Sequence, residues 1–422
     1  MRKTIFWLHL CTGVVAGLVI LMMSFTGALL TYERQLTAFA DRGYRHEPQA
    51  GQARLPLAKL LAAARQYAPE SPPGTITISA DPAAPAVVSL GRGRDVYVQP
   101  YTAEILGEGS QPIRQFFRTV TSWHRWFNAE QESRNTMRAI TGACNLAFLF
   151  LVLSGMYLWI PRIVRWQMFR ARLLFASKYP TSKARDFNWH HVFGIWSALP
   201  LAAVVATGVV MSYPWANDLV YRSVGEDPPA RGGPPGPPGA AGGPGAGPGA
   251  LAGGPRRSGE EGGRPRFGDS QGGDQASGFA GTGNEVIAPT TAVDLDQLFA
   301  RAADELPQWR TIALRSPMNV AAPISFSIDP GTGGQPQKRL NLTLDARTGE
   351  VVSRETWENQ SPGRRLRSYL RFLHTGEVLG LGGQTVAGLV SFASLILVWT
   401  GFALAWRRLI QPLFRKKKSG KV

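Results

Sequence analysis

Four stretches of the sequence, 5–32, 137–160, 190–213 and 384–406, are apolar over about the 20 residues that a helix needs to cross ~30 Å of hydrocarbon. Lipid offers a backbone no hydrogen bonds, so segments of this kind fold as helices that bond within themselves. An overall hydrophobic share of 44% conceals this concentration. Each run has aromatic residues near its ends, where they suit the membrane interface. The first run follows Arg2 and Lys3, exceeds the length of a signal-peptide core, and precedes no small-residue cleavage site. It is therefore read as a retained anchor.

The formal charge of +17 raises the question of nucleic acid, and the location of the charges answers it. Arg2 and Lys3, a basic loop at 161–189 with seven Lys/Arg against one Asp, and a basic tail at 407–422 with seven and no acid carry nearly all of the excess. The segments 33–136 and 214–383 are close to neutral, with twelve basic and ten acidic residues in the first and seventeen and eighteen in the second. This is the positive-inside pattern of a multi-pass protein of the bacterial cytoplasmic (inner) membrane, with both termini cytoplasmic. The basic clusters suit membrane lipid headgroups, and no nucleic-acid partner is expected. Cys11 and Cys144 both fall inside apolar runs, so no disulfide framework or cysteine metal site is implied.

Two extracytoplasmic modules are expected, at 33–112 and 286–360. Each reads as a helix followed by alternating strand residues: 57–67, 75–79, 87–90 and a hairpin at 95–107 in one, and 295–306, 324–328 and a hairpin at 340–352 in the other. The turn Asp345-Ala-Arg-Thr-Gly349 has suitable chemistry for the second hairpin. Short His-bearing segments follow each module, at 113–136 and 361–383. In the segment 214–285, residues 228–283 are dominated by Gly and Pro with few apolar residues, which predicts a disordered linker.

The apolar runs repeat. His9 precedes Gly13 by four residues, Gly27 by eighteen and Tyr32 by twenty-three, and His190 stands in the same relation to Gly194, Gly208 and Tyr213. Ser154-Gly-Met-Tyr-Leu-Trp-Ile-Pro-Arg162 matches Thr400-Gly-Phe-Ala-Leu-Ala-Trp-Arg-Arg408. The expected fold is an all-α four-helix membrane domain arising by tandem duplication, with two small α+β modules outside it.

A histidine inside a hydrocarbon span needs a partner, a ligand or a water cavity. His9 and His190 lie near the cytoplasmic ends of their runs, where Gly13 and Gly194 one turn on leave room for a planar group. His124 and His374 precede the second and fourth runs on the other side. Two pairs at two depths, His9 with His190 and His124 with His374, suit two b-type haems whose iron takes one axial imidazole from each half. Two His ligands favour electron transfer over oxygen binding. Protein-only zinc or iron is disfavoured by the lack of neighbouring Cys and carboxylate ligands. Arg125 and Arg371, with Arg118, are candidates for binding haem propionates. His191 is about 100° round the helix from His190 and its role is open; His46 reads as a loop residue.

On His9-Leu-Cys-Thr-Gly13 with Thr26-Gly-Ala-Leu-Leu-Thr-Tyr32, Trp123-His-Arg125, Trp189-His-His-Val-Phe-Gly194 with Thr207-Gly208, Leu373-His-Thr-Gly-Glu377 and the two hairpins, the chain resembles the PepSY-associated transmembrane helix family. It is most similar to the branch of ferric-siderophore reductases and iron-uptake proteins. That resemblance implies two periplasmic PepSY-like modules and two haems delivering electrons to a ferric siderophore or another periplasmic ferric chelate. With no Gly-x-Gly-x-x-Gly site, flavin module or iron–sulfur cysteine set, the electrons are expected from a quinol or an unknown cytoplasmic donor. The rival reading is a non-redox membrane protein whose PepSY modules bind or regulate a periplasmic partner.

Overall fold

The computed structural model describes residues 1–71, 73–90, 94–163, 165–229, 294–315 and 323–414. Past Pro229 the Gly/Pro-rich linker read at 228–283 lies outside the described residues, as does the basic tail beyond Phe414. The first half of the chain forms α1 (Arg2–Leu30), α2 (Glu33–Ala40), α3 (Leu57–Tyr67), β1 (Thr75–Ser79), β2 (Ala86–Ser89), β3 (Asp95–Val98), β4 (Ile105–Gly107), α4 (Gln111–Trp126) and α5 (Arg134–Trp159). After α6 (Trp166–Leu173) come α7 (Ser182–Ser212), α8 (Pro214–Arg222), α9 (Leu295–Asp304) and β5 (Thr311–Arg315). Then follow β6 (Ile324–Asp329), β7 (Leu340–Leu344), β8 (Val351–Glu355), α10 (Pro362–His374) and α11 (Gly380–Leu409).

Among the described residues, four helices are long and apolar enough to cross a membrane: α1, α5, α7, and α11 with the turn leading into it. They pack in a ring, α1 on α5, α5 on α7, α7 on α11 and α11 on α1. Side chains such as Ala16, Ile20, Val152, Leu201, Val205 and Val390 fill the interior. Buried hydroxyls among them bond back to their own helix, as Ser197 does to Phe193 O and Ser394 to Ser391 O, so they need no water. Gly17 lets α1 approach α11, because a Cβ there would stand 2.5 Å from the Phe402 ring.

Helix α7 starts eight residues before the apolar run at 190, within the segment read as a basic loop. Thr181 Oγ1 caps it by accepting from Ala184 N. Asp186, 2% exposed, accepts from Arg185 and from Arg407 of α11. Asn188 donates to Ala171 O and Leu174 O, which folds the α6 connection against the helix. These contacts extend the helix past the end of its hydrophobic pattern.

The described strands form one eight-stranded antiparallel sheet, in the order β4-β3-β2-β1-β5-β6-β7-β8. The two modules read from the sequence are thus joined edge to edge through β1 and β5, from Thr75↔Arg315 to Ser79↔Thr311. Alternation places Ile76, Ile78, Val88, Val96, Ile312, Leu314, Phe326 and Leu342 on one face. Helices α3 and α9 cover that face with Leu57, Leu60, Ala64, Leu298 and Ala302. Asp296 of α9 accepts from Leu57 N at 3.1 Å, tying the covering helices together.

Side chains also bind the sheet to the bundle. Tyr97 of β3 donates to Asp41, which follows α2, and Arg114 of α4 donates to both. Arg34 of α2 pairs with Glu377 at 3.1 Å and donates to Thr332 O in the β6–β7 connection.

Candidate functional site

Helices α4 and α10 carry His124 and His374 in their last turns, and a carboxylate holds the start of each helix. Asp41 Oδ1 accepts from Ser110 N at 2.7 Å, and Glu226 Oε2 accepts from Gly363 N at 3.1 Å. Negative charge is favourable there, where helix N–H groups lack partners. After α4 the chain reverses through Phe127 and Asn128, both left-handed at φ 54 and 56, with Asn128 N bonded to Ser122 O. After α10 the reversal uses Gly376 at φ 76, where a Cβ would also run into the backbone of Gly383. Both reversals send the next membrane helix straight from a histidine.

Each of the four histidines rests on a Ser/Thr-Gly dipeptide of a neighbouring membrane helix. His9 Nδ1 of α1 lies 2.8 Å from Ser154 Oγ of α5, and His190 Nδ1 of α7 lies 2.9 Å from Thr400 Oγ1 of α11. His124 Nδ1 lies 2.8 Å from Thr26 Oγ1 of α1, and His374 Nδ1 lies 3.3 Å from Thr207 Oγ1 and 2.8 Å from Val204 O of α7. The following glycine admits the ring edge. A Cβ on Gly155, Gly401, Gly27 or Gly208 would lie 3.4, 3.6, 3.4 or 3.3 Å from Cε1 of its histidine. Gly13 and Gly194, read from the sequence as making this room, instead face Leu151 and Leu397.

The His124 and His374 rings have centroids 6.5 Å apart at an interplanar angle of 55°. Burial, with the nearby His374 and Arg125, lowers the His124 pKa to about 4, and burial lowers that of His374 as well. Both imidazoles are therefore neutral at physiological pH, as metal ligation requires. His9 and His190 lie at the other end of the ring of helices, close enough to interact electrostatically. Thr26, which meets His124, is seventeen residues from His9, so the two levels are about 25 Å apart along α1.

The arginines are less concentrated. The Arg125 guanidinium lies 4.6 Å from the Trp126 ring centre and Arg371 5.3 Å from that of Phe372, while Arg118 donates to Gln115 on its own helix. His191 bonds Phe187 O through Nδ1 and stacks near the Phe187 ring, 6.5 Å from His190. His46 bonds Tyr44 O in a loop. Among the described residues, no three His, Cys, Asp or Glu side chains converge as a metal-binding group. Sequence reasoning missed the hydroxyl partners, although the repeat of His9 and Thr26-Gly27 in His190 and Thr207-Gly208, with the match of Ser154-Gly155 to Thr400-Gly401, carried the signal for all four.

The family described as PepSY-associated TM region matches the chain over residues 6–408. No curated protein matches it. The chain belongs to the PepSY-associated TM family.

Proposed function

We propose, from membership in that family, that this chain carries electrons across the bacterial cytoplasmic membrane through two b-type haems and reduces periplasmic ferric iron held in a chelate such as a siderophore. The observation that carries the reading is the His124–His374 pair. Two neutral imidazoles that shared one metal atom would stand with their ring centroids about 6 Å apart. The centroids are 6.5 Å apart, and the hydroxyl and Val204 O contacts of the two rings are made through Nδ1. The residues fit the group. His124 and His374 would hold one haem, His9 and His190 the other, and Arg125, next to His124, and Arg371, one turn before His374, would serve the propionates of the first. A haem held by these histidines would supply one-electron transfer.

The protein's own part is to hold the imidazoles neutral, fix their direction and exclude water from the bundle. The substrate is chelated Fe(III), which gains one electron and becomes the more labile Fe(II). Its electrons come from a quinol or a cytoplasmic donor. The repeated histidine and Ser/Thr-Gly spacings support a tandem duplication. The basic clusters at 161–189 and 407–422 support cytoplasmic termini, which put the sheet and the His124–His374 pair on the periplasmic side. A second reading has the sheet bind a periplasmic partner without redox chemistry; the exposed Val351 and Val352 on outer strand β8 favour it.

Purification from haem-replete cells tests the proposal. The expected result is two low-spin, two-histidine haems per chain. His124→Ala and His374→Ala should each lose one haem and slow reoxidation of the reduced protein by a ferric siderophore, whereas His46→Ala should do neither. A folded, haem-free preparation would sink the reading. Full haem content with no reoxidation by several ferric chelates would remove only the iron.

A further inference from the structure

We propose that the hydroxyls of Thr26, Ser154, Thr207 and Thr400 are positioning groups that hold all four histidines in the Nδ1–H tautomer and so turn the lone pair of every Nε2 toward a ligand. The argument counts protons. A Ser or Thr hydroxyl has one hydrogen to give and lone pairs to accept with. Thr26 Oγ1 lies 2.8 Å from Met22 O, Thr207 Oγ1 2.8 Å from Ala203 O, and Thr400 Oγ1 2.7 Å from Ile396 O, each a bond back along its own helix. Ser154 Oγ makes the same kind of bond to Leu151 O at 3.3 Å. With its hydrogen given to the helix, each oxygen is left to accept, and the histidine nitrogen facing it must donate.

His374 supplies an internal check. Its Nδ1 is also 2.8 Å from Val204 O, and a carbonyl only accepts, so this nitrogen carries a proton whatever Thr207 does. The other three approach a hydroxyl in the same way, with the same glycine under Cε1; His124 and His190 also bond a backbone carbonyl, of Met23 and Leu397, which leaves His9 on Ser154 as the clearest case for the hydroxyl. In a neutral imidazole the proton at Nδ1 leaves Nε2 as the acceptor, and a bond from the protonated nitrogen also raises the basicity of the ligating one. Each membrane-spanning helix contributes one such hydroxyl, and each histidine finds it on a different helix from its own. The device therefore works only when the bundle is assembled. The role as metal positioning rests on the haem reading; the tautomer does not.

The test reads the tautomer directly. Full-length protein labelled with ¹⁵N-histidine is prepared from haem-deficient cells in lipid nanodiscs, and the ring nitrogens are assigned by His→Ala variants. All four site histidines should show protonated Nδ1 and bare Nε2 at neutral pH. Ser154→Ala, which loses the acceptor, should shift His9 toward the Nε2–H form and reduce haem uptake on reconstitution from two to one, while Ser154→Thr keeps both. Wild-type His9 in the Nε2–H form would overturn the proposal, as would Ser154→Ala with unchanged tautomer. Nδ1–H tautomers in a chain that takes up no haem would leave the tautomer assignment standing and defeat the haem reading alone.

Discussion

Asp41 shows how one side chain links the sheet to a site-bearing helix. Its carboxylate is 7% exposed and receives Tyr97 of β3, Arg114 of α4 and the Ser110 N–H at the start of α4. Burial alone would raise its pKa, but the bonds from Arg114, Ser110 and Tyr97 together with the Arg114 charge outweigh burial and lower it below 3.8. Burial pushes Tyr97 up to about 12, so the phenol stays a donor across the neutral range. Removing the charge in Asp41→Asn leaves Arg114 without its counter-ion and is expected to cost about 3 kcal/mol in thermal unfolding. Because the folded carboxyl titrates below its unfolded value, this contribution is fully present above the ordinary carboxylate range and is lost as pH falls through the depressed folded value. Between pH 7 and pH 3 the wild type should therefore lose more stability than Asp41→Asn, and equal losses would show that the carboxylate is not engaged.

Among the elements, the reversal after α4 and the middle of the sheet are the most exposed to single changes. Asn128 tolerates its left-handed backbone because a short polar side chain crowds it little, whereas a β-branched residue does not. Asn128→Val should lower stability by about 1–2 kcal/mol and disturb His124, four residues back, so haem content and unfolding temperature should fall together. Ile312, fully buried beside Ile78 across the β1–β5 ladder, is packed from both halves of the sheet. Ile312→Ala is expected to cost about 2–5 kcal/mol. Val352→Ala on outer strand β8, 55% exposed, should stay within about 0.5 kcal/mol, and urea unfolding distinguishes the two.

Across the whole molecule the charge distribution predicts orientation. A fluorescent protein fused after residue 422 should be bright, and a phosphatase active only outside the cytoplasm should be active when fused after residue 110. The opposite pair of results would invert the bundle and place the His124–His374 pair on the cytoplasmic face. The bundle and sheet are also coupled through Arg34, which reaches Glu377 near α11 and Thr332 in the β6–β7 connection. Arg34 is half exposed, so its ion pair adds little stability, though its two contacts join α2 to Glu377 and to the β6–β7 connection.

Local pattern along the chain carries much of this fold. The apolar runs located α1, α5, α7 and α11, since a span depends only on the composition of its own residues. Alternation located strands such as Thr75–Ser79 and Leu340–Leu344, because side chains in a strand change face at each step. The four histidines stood out as costly groups in or beside apolar runs. Their partners did not. Thr12-Gly13 and Thr141-Gly142 have the same composition as Thr26-Gly27, yet Gly13 faces Leu151 and Gly142 faces Tyr213, so the dipeptide alone could not select the ones that meet a ring. The pairing of β1 with β5 was equally hidden, as was the early start of α7 fixed by Asp186 and Arg407. Periodicity and hydropathy are set by neighbours along the chain, and these the sequence determined by itself; the hydroxyl under each histidine, the joined sheet and the 6.5 Å approach of His124 to His374 join residues far apart in sequence, and only close packing of the folded chain decides which of many similar groups meet.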